Sequence, residues 1–252
     1  MKFLVCARWC AVTLLVAGRL SAESIAYESF AYPLASPLTD ASGGTGWDAP
    51  WTVDGDSATA VAPGLSYEDI YGNSLITTGL AASTAGTATT RNFRALAAPI
   101  RSEVWISFLY RLPEANAKFE GVSFYLGDQN KFSVQNPSTD PGSLIVLGNN
   151  VTGGSASTLK GNLDTTHLIV LHFLKGGAPG GADTVRIYVD PLLAGNPSQF
   201  DAAVTAANFD FDRVRIAGQD GSELLVDELR VGNSYAEVTP WMMASPTHRN
   251  CC

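Results

Sequence analysis

Apolar and polar residues alternate with a period of two along much of the chain, and a helical period is nearly absent. In residues 103–111, Val104, Ile106, Phe108 and Tyr110 fall on one side of an extended strand. Trp105, Ser107, Leu109 and Arg111 fall on the other, because successive strand side chains point to opposite faces. Residues 183–190 repeat the pattern, with Val185, Ile187 and Val189 inward and Arg186 and Tyr188 outward, and residues 212–216 repeat it again. Residues 167–173, His-Leu-Ile-Val-Leu-His-Phe, are apolar on both faces, as a central strand of a sandwich must be. Further strands are expected at 25–30, 87–93, 121–126, 131–135 and 144–147, and a last one at 224–232 that runs into a closing turn over 234–240. Residues 202–207 read as one helical turn, and the Ala/Thr/Ser-rich stretch 77–90 as a loop plus an edge strand.

Turn residues separate these segments: Gly43-Gly-Thr-Gly46, Asn136-Pro137, Gly153-Gly154 and Gly176-Gly-Ala-Pro-Gly-Gly181. Many short alternating strands with such breaks predict a β-sandwich or jelly roll rather than an α/β fold. No repeat, linker or second domain is evident.

The first 22 residues read as a secretory signal: Lys2 and Arg8 before the apolar run 11–17, then Leu20-Ser21-Ala22 as a cleavage site that leaves Glu23 first. The apolar run is far short of the roughly 20 residues of a spanning helix. The expected organisation is a signal at 1–22, one domain at 23–240 and a disordered tail at 241–252, in a protein that is secreted, periplasmic or at the cell surface. Loss of the signal takes three basic residues and moves the net charge from −8 to −11. Such an acidic chain is a poor partner for nucleic acid or an anionic membrane, which leaves glycans, cations and basic proteins. Cys6 and Cys10 leave with the signal and Cys251 and Cys252 end the chain, so no disulfide is expected in the core.

Several segments carry a resemblance when taken in order. They are Tyr27-Glu-Ser-Phe-Ala-Tyr32, Gly43-Gly-Thr-Gly-Trp-Asp-Ala-Pro-Trp51, residues 104–111, residues 184–191, residues 211–216 and the Asp-Glu-Leu-Arg strand at 227–230. Together they resemble exported bacterial proteins with concanavalin A-like or laminin-G-like domains, over nearly all of the chain after residue 22. The resemblance implies an all-β, concanavalin A-like jelly-roll sandwich of two antiparallel sheets. Some members of that group carry a C-terminal Pro-Glu-Pro sorting signal with a membrane-spanning tail, and no such segment is found here.

Glycosidases on this fold place two carboxylates around the scissile bond. The nearest pattern here is Glu223, Asp227 and Glu228, and its spacing differs from the glucanase type. On a regular strand Asp227 shares a face with Leu225, Leu229 and Val231, and Glu228 points the other way with Leu224, Val226 and Arg230, so the pair cannot flank one bond. Asp227 is therefore assigned a structural role, accepting backbone N–H groups. His167 and His172 fall on opposite faces, and His248 lies in the tail, which argues against zinc. Calcium is the cofactor to test, with Asp54, Asp56 and Asp128 as candidate ligands, because it takes hard oxygen donors. Trp47 and Trp51, with Asp48 between them, are the candidate carbohydrate-binding residues, because they sit in a Gly/Pro-rich loop and loops on a rigid scaffold often carry recognition; the alternative, favoured by how often tryptophan is buried, is that they pin this loop to the sandwich. The leading reading is a non-catalytic sandwich that binds carbohydrate or a surface protein. A glycan hydrolase or lyase, and a structural envelope or matrix protein, are the alternatives.

Overall fold

The computed structural model describes residues 24–115, 118–136, 143–147, 159–160, 163–177, 181–206 and 208–243. The expected signal, Cys251, Cys252 and His248 lie outside the described residues. Seventeen strands and one helical turn follow in order: β1 (Ala26–Glu28), β2 (Thr52–Val53), β3 (Thr59–Val61), β4 (Asn73–Leu75), β5 (Ala81–Ser83), β6 (Thr90–Ile100), β7 (Val104–Arg111), β8 (Glu120–Leu126), β9 (Gln129–Gln135), β10 (Ser143–Leu147), β11 (Leu159–Lys160), β12 (His167–Leu174), β13 (Asp183–Val189), β14 (Ala202–Ala206), β15 (Phe211–Gly218), β16 (Leu225–Gly232), α1 (Tyr235–Val238) and β17 (Trp241–Met243).

The strands form a jelly-roll sandwich of two antiparallel sheets. The first has the order β14-β13-β12-β7-β16-β5-β3, with β1 also on β16; the second has the order β11-β10-β9-β8-β15-β6-β2. A small ribbon of β4 and β17 stands apart. The core lies between the sheets. The first contributes Val104, Ile106, Phe108 and Tyr110 of β7, Ile169, Leu171 and Phe173 of β12, and Val185 and Ile187 of β13. The second contributes Val122 and Phe124 of β8, Phe132 and Val134 of β9, and Val214 and Ile216 of β15. Phe124 meets Phe173 across the gap edge to face, with ring centroids 5.7 Å apart, a geometry the ring quadrupoles favour.

The first sheet is covered on its other face as well. Trp105 and Leu109 of β7, Leu168 and Val170 of β12, and Tyr188 of β13 form a second cluster under Leu65, Leu75, Leu193, Tyr235 and Val238. Tyr188, on the side read as outward, is therefore buried. This double burial is why β7 and β12 read as apolar on both faces.

Four expectations are corrected. Residues 202–206 form strand β14, paired with β13 from Asp183↔Ala206 to Ile187↔Ala202; the open edge of β13 overrides the helical preference of the alanines. In the stretch 77–90, β5 lies inside the sheet between β16 and β3 rather than at its edge. Residues 241–243 belong to the folded body, because Trp241 pairs with Leu75 and packs on the second cluster. Strand β16 also breaks its alternation: the register with β7 shifts between Asp227 and Arg230, and Glu228 has φ +53°, the left-handed region. Beyond this bulge Leu229 and Val231 turn into the main core beside Val226, so Asp227 does not share their face.

Candidate functional site

The second sheet packs one face on the core, and its other face is partly exposed: Arg91, Phe93, Tyr125, Arg213 and Arg215 reach solvent, while Ser123, Ser133 and Ala217 are buried beneath them. Pairing register lays residues across it in rows. One row runs Ser133–Ser123–Arg215–Phe93–Thr52 over β9, β8, β15, β6 and β2. A neighbouring row runs Gln135–Gly121–Ala217–Arg91. Alternation produces both rows: Val214 and Ile216 face the core, so Arg213, Arg215 and Ala217 face away from it.

Arg215 is the centre of this face. Its guanidinium carbon lies 5.0 Å from the Phe119 ring centroid and 5.1 Å from that of Tyr125, close enough for a cation–π contact with each. Tyr125 is held edge-on by Phe93, with centroids 5.5 Å apart and planes at 81°. One Arg215 amine donates to Ser123 Oγ at 3.0 Å, and Ser123 Oγ accepts from Ser133 at 3.0 Å. Arg215 Nε is buried without a hydrogen-bond partner. Burial pulls this guanidinium below its usual pKa; the Tyr125 phenol opposes that and the Arg91 charge adds to it. Beside Arg215 opens a cleft of about 240 Å³, with Ala217 and Gly218 as its small residues, Arg91 and Phe119 as large ones, and Thr89 and Gln219 also lining it. Two of these residues hold carboxylates: Asp54 pairs with Arg91 at 3.0 Å, and Asp220 accepts from the Thr89 hydroxyl.

The residues singled out from sequence lie elsewhere. Trp51 is wholly buried, stacked near Phe30 at 6.0 Å, with its indole N–H donating to Glu28 at 3.2 Å. Its faces are not open to a sugar, so its candidacy as a binding residue is withdrawn: the Gly/Pro-rich loop folds inward onto a buried Glu28–Arg94 pair. Trp47 is half-buried and donates to the Tyr27 carbonyl at 3.0 Å, while Asp48 is exposed. The Arg94 guanidinium lies 5.4 Å from the Trp47 ring and 5.6 Å from the Trp51 ring.

Asp227 and Glu228 are both fully buried on β16. Asp227 accepts the Leu65 N–H at 2.8 Å and the Glu228 N–H at 2.7 Å. Glu228 pairs with Arg230 and accepts from the Tyr27 hydroxyl and the Thr78 N–H. Burial, with the Glu228 charge adding, pushes the Asp227 carboxyl up to about 8. Burial raises Glu228 too, against the opposing Arg230 charge and its donors. The bulge puts the two carboxylates within electrostatic reach of each other, contrary to the regular-strand reading, but in a sealed place.

The calcium candidates do not converge. Asp54 is paired with Arg91, Asp56 accepts the Ala88 N–H at 3.1 Å, and Asp128 is exposed 3.7 Å from Arg213. Among the described residues no three His, Cys, Asp or Glu side chains gather as a metal site would require. His167 binds Asp190 at 2.7 Å and His172 binds Glu103 at 2.8 Å, at separate places.

The Arg215 face was missed because its residues come from five strands, each carrying one or two polar positions that look like ordinary solvated alternation. The available signal was the Arg-x-Arg at 213–215, outward on a strand of an acidic chain.

No protein-family model and no curated protein matches the chain. Solved structures do. One, described as endo-acting O-glycanases of prominent members of the human gut microbiota, is 11% identical with a TM-score of 0.50, over 83% of this chain and 99% of that one. Another, an endo-β-1,4-glucuronan lyase from the fungus Trichoderma reesei, is 14% identical with a TM-score of 0.48, over 86% of this chain and 98% of that one. A carbohydrate binding module from Bacillus subtilis is 10% identical with a TM-score of 0.40, over 73% and 95%. The first of these likenesses, at 11% identity, speaks to the fold alone.

Proposed function

We propose that the protein is an exported, concanavalin A-like sandwich that binds carbohydrate through the outward face of its second sheet, with Tyr125, Phe119 and Arg215 meeting the sugar. The observation that carries this reading is the Phe119–Arg215–Tyr125 arrangement, partly exposed beside a cleft on a rigid sheet. Aromatic faces stack on pyranose rings, and the Thr52 hydroxyl, the Gln135 amide and the Arg91 and Arg215 guanidinium groups, which are at least partly exposed, supply hydrogen bonds to sugar hydroxyls. At about 240 Å³ the cleft is smaller than a drug-sized pocket, so it takes one residue of a glycan chain, with neighbouring residues lying along the sheet. Binding is favoured over cleavage because the cleft lining carries no carboxylate, Asp54 and Asp220 are held by the lining residues Arg91 and Thr89, and Asp227 and Glu228 are sealed within the fold.

A glycan array of the chain from Glu23 onward tests this. We expect retention on at least one glycan class, weakened about tenfold by Tyr125→Ala, with the circular dichroism spectrum unchanged. Full-strength binding by both Tyr125→Ala and Phe119→Ala, or no retention on any glycan, overturns it.

A further inference from the structure

Resting on that reading, we infer that the glycan is acidic, and that Arg215, with Arg91 beside it, receives a sugar carboxylate in the cleft bordered by Phe119 and Gln219. Most guanidinium groups of the described residues have a carboxylate partner. Arg94 is paired with Glu28, Arg230 with Glu228, Arg111 with Asp164, Arg91 with Asp54, and Arg213 with Asp212. Arg101, which is exposed, and Arg186, whose guanidinium lies 5.3 Å from the Phe200 ring, also have no ion pair among the described residues. Arg215 combines that lack with a place between two rings and a buried N–H. Among the described residues no carboxylate lies within ion-pair distance of it, although the chain carries 24 acidic residues and 16 basic ones. It is also desolvated enough to depress its pKa, and its Nε is buried without a partner.

A guanidinium taken out of water needs an anion or a full set of acceptors. Ser123 Oγ supplies one acceptor, and the Phe119 and Tyr125 rings supply a diffuse negative face. Among the described residues Nε has no acceptor, and the cleft beside the side chain is open. Arg91 lies on the same wall and shares Asp54 with solvent, so a second cation is within reach of a group that enters. A planar carboxylate matches the guanidinium fork, since it accepts two parallel hydrogen bonds. A sulfate ester presents related oxyanion chemistry, and a neutral sugar leaves the charge uncompensated. The aromatic residues on either side of Arg215 would take the pyranose ring while the fork takes its acid group. The site thus selects by charge in a protein whose net charge otherwise repels polyanions.

The test compares acidic polymers with their own neutralised forms. Polygalacturonate, alginate and hyaluronan are set against their carboxyl-reduced counterparts, and chondroitin sulfate against its desulfated and its carboxyl-reduced forms, by affinity electrophoresis and calorimetry on the chain from Glu23. We expect at least one uronate polymer to bind and its carboxyl-reduced form to bind at least tenfold more weakly. Binding of that polymer should fall with added salt and drop at least tenfold in Arg215→Gln. Arg215→Lys, which keeps the charge and loses the fork, should fall between wild type and Arg215→Gln. Should Arg215→Gln fail to fold, Arg91→Gln on the cleft wall should still weaken the acidic form selectively. Acid and neutral forms that bind alike in a Tyr125-dependent way overturn the charge assignment and leave carbohydrate binding standing. Dependence on sulfate with indifference to carboxyl reduction overturns the carboxylate. No retention of any polymer, acidic or neutral, overturns both.

Discussion

Glu28 and Arg94 form an ion pair 2.6 Å long with both side chains removed from solvent. Glu28 also accepts the Phe30 N–H, the Tyr32 hydroxyl and the Trp51 indole N–H, and Arg94 donates onward to the Gly43 carbonyl and lies over the Trp47 and Trp51 rings. One buried carboxylate on β1 therefore ties the opening strand and the glycine-tryptophan loop to β6. Removing one partner leaves a buried charge alone, so Glu28→Gln should cost about 3–5 kcal/mol in denaturant unfolding. Trp51→Ala should cost a similar ~3–5 kcal/mol through the cavity it leaves. Unfolding midpoints of both variants at the wild-type value would show that the loop docks by other means.

Asp227 gives stability a definite pH dependence. Its folded pKa, about 8, is above the ordinary carboxylate value of 3.8, so between these limits the folded chain holds a proton that the unfolded chain has released. The contribution is complete below pH 3.8, declines as pH rises, and is gone above about 8. Asp227→Ala should lower stability at pH 5 by about 1–3 kcal/mol, because the Leu65 and Glu228 N–H groups lose their acceptor. At pH 9 the gap should narrow, since the variant no longer carries the ionising group. Parallel pH profiles of wild type and variant would contradict this assignment.

Glu228 should matter as much as its neighbour. A regular strand would set it apart from Asp227 and make Glu228→Ala mild, but the bulge seals it against Arg230, Tyr27 and Thr78. Glu228→Ala leaves Arg230 buried without its carboxylate and should cost about 3–5 kcal/mol. A loss under 1 kcal/mol, read by urea unfolding at pH 7, would mean Arg230 finds the Ile76 carbonyl a sufficient partner.

The strands of the sandwich core were legible because burial there follows side-chain parity. Val104, Ile106, Phe108 and Tyr110 separate from Trp105 and Leu109 as alternation requires, into two different clusters. What escaped depended on long-range partners. No periodicity marks a bulge at Glu228, and only β13 makes a strand of residues 202–206. Trp51 reads as a loop tryptophan until Glu28, 23 residues earlier, is seen to hold its indole N–H. The Arg215 face needs the register of five strands to bring Ser133, Ser123, Phe93 and Thr52 into one row.

Chelation should leave the fold unchanged. Asp54, Asp56 and Asp128 are each tied to different partners, so none joins the six to eight oxygens that calcium takes. The melting temperature should be the same with excess EDTA as with millimolar calcium. A rise with calcium, abolished by Asp56→Asn, would restore a site that the described residues do not form.

His172 should oppose Asp227 in the acid range. Its ring stacks on Trp105 with centroids 3.7 Å apart and planes 10° from parallel, and Nδ1 is buried without a partner. Burial lowers its pKa from 6.5; the Glu103 hydrogen bond and charge oppose that, and the Arg186 charge adds to it. A lowered pKa on a base means the unfolded chain binds the proton first, so this contribution is complete above 6.5 and is lost as pH falls toward the folded value. Wild type should thus gain stability from Asp227 and lose it from His172 on acidification below 6.5. His172→Phe keeps an aromatic ring on Trp105 and removes the ionising group, so below pH 6.5 it should lose less stability on acidification than wild type does. An NMR titration of the His172 ring should show a midpoint below 6.5. A midpoint above 6.5 would mean that the Glu103 carboxylate, 2.8 Å from Nε2, outweighs the burial, and the sign of the acid limb would reverse.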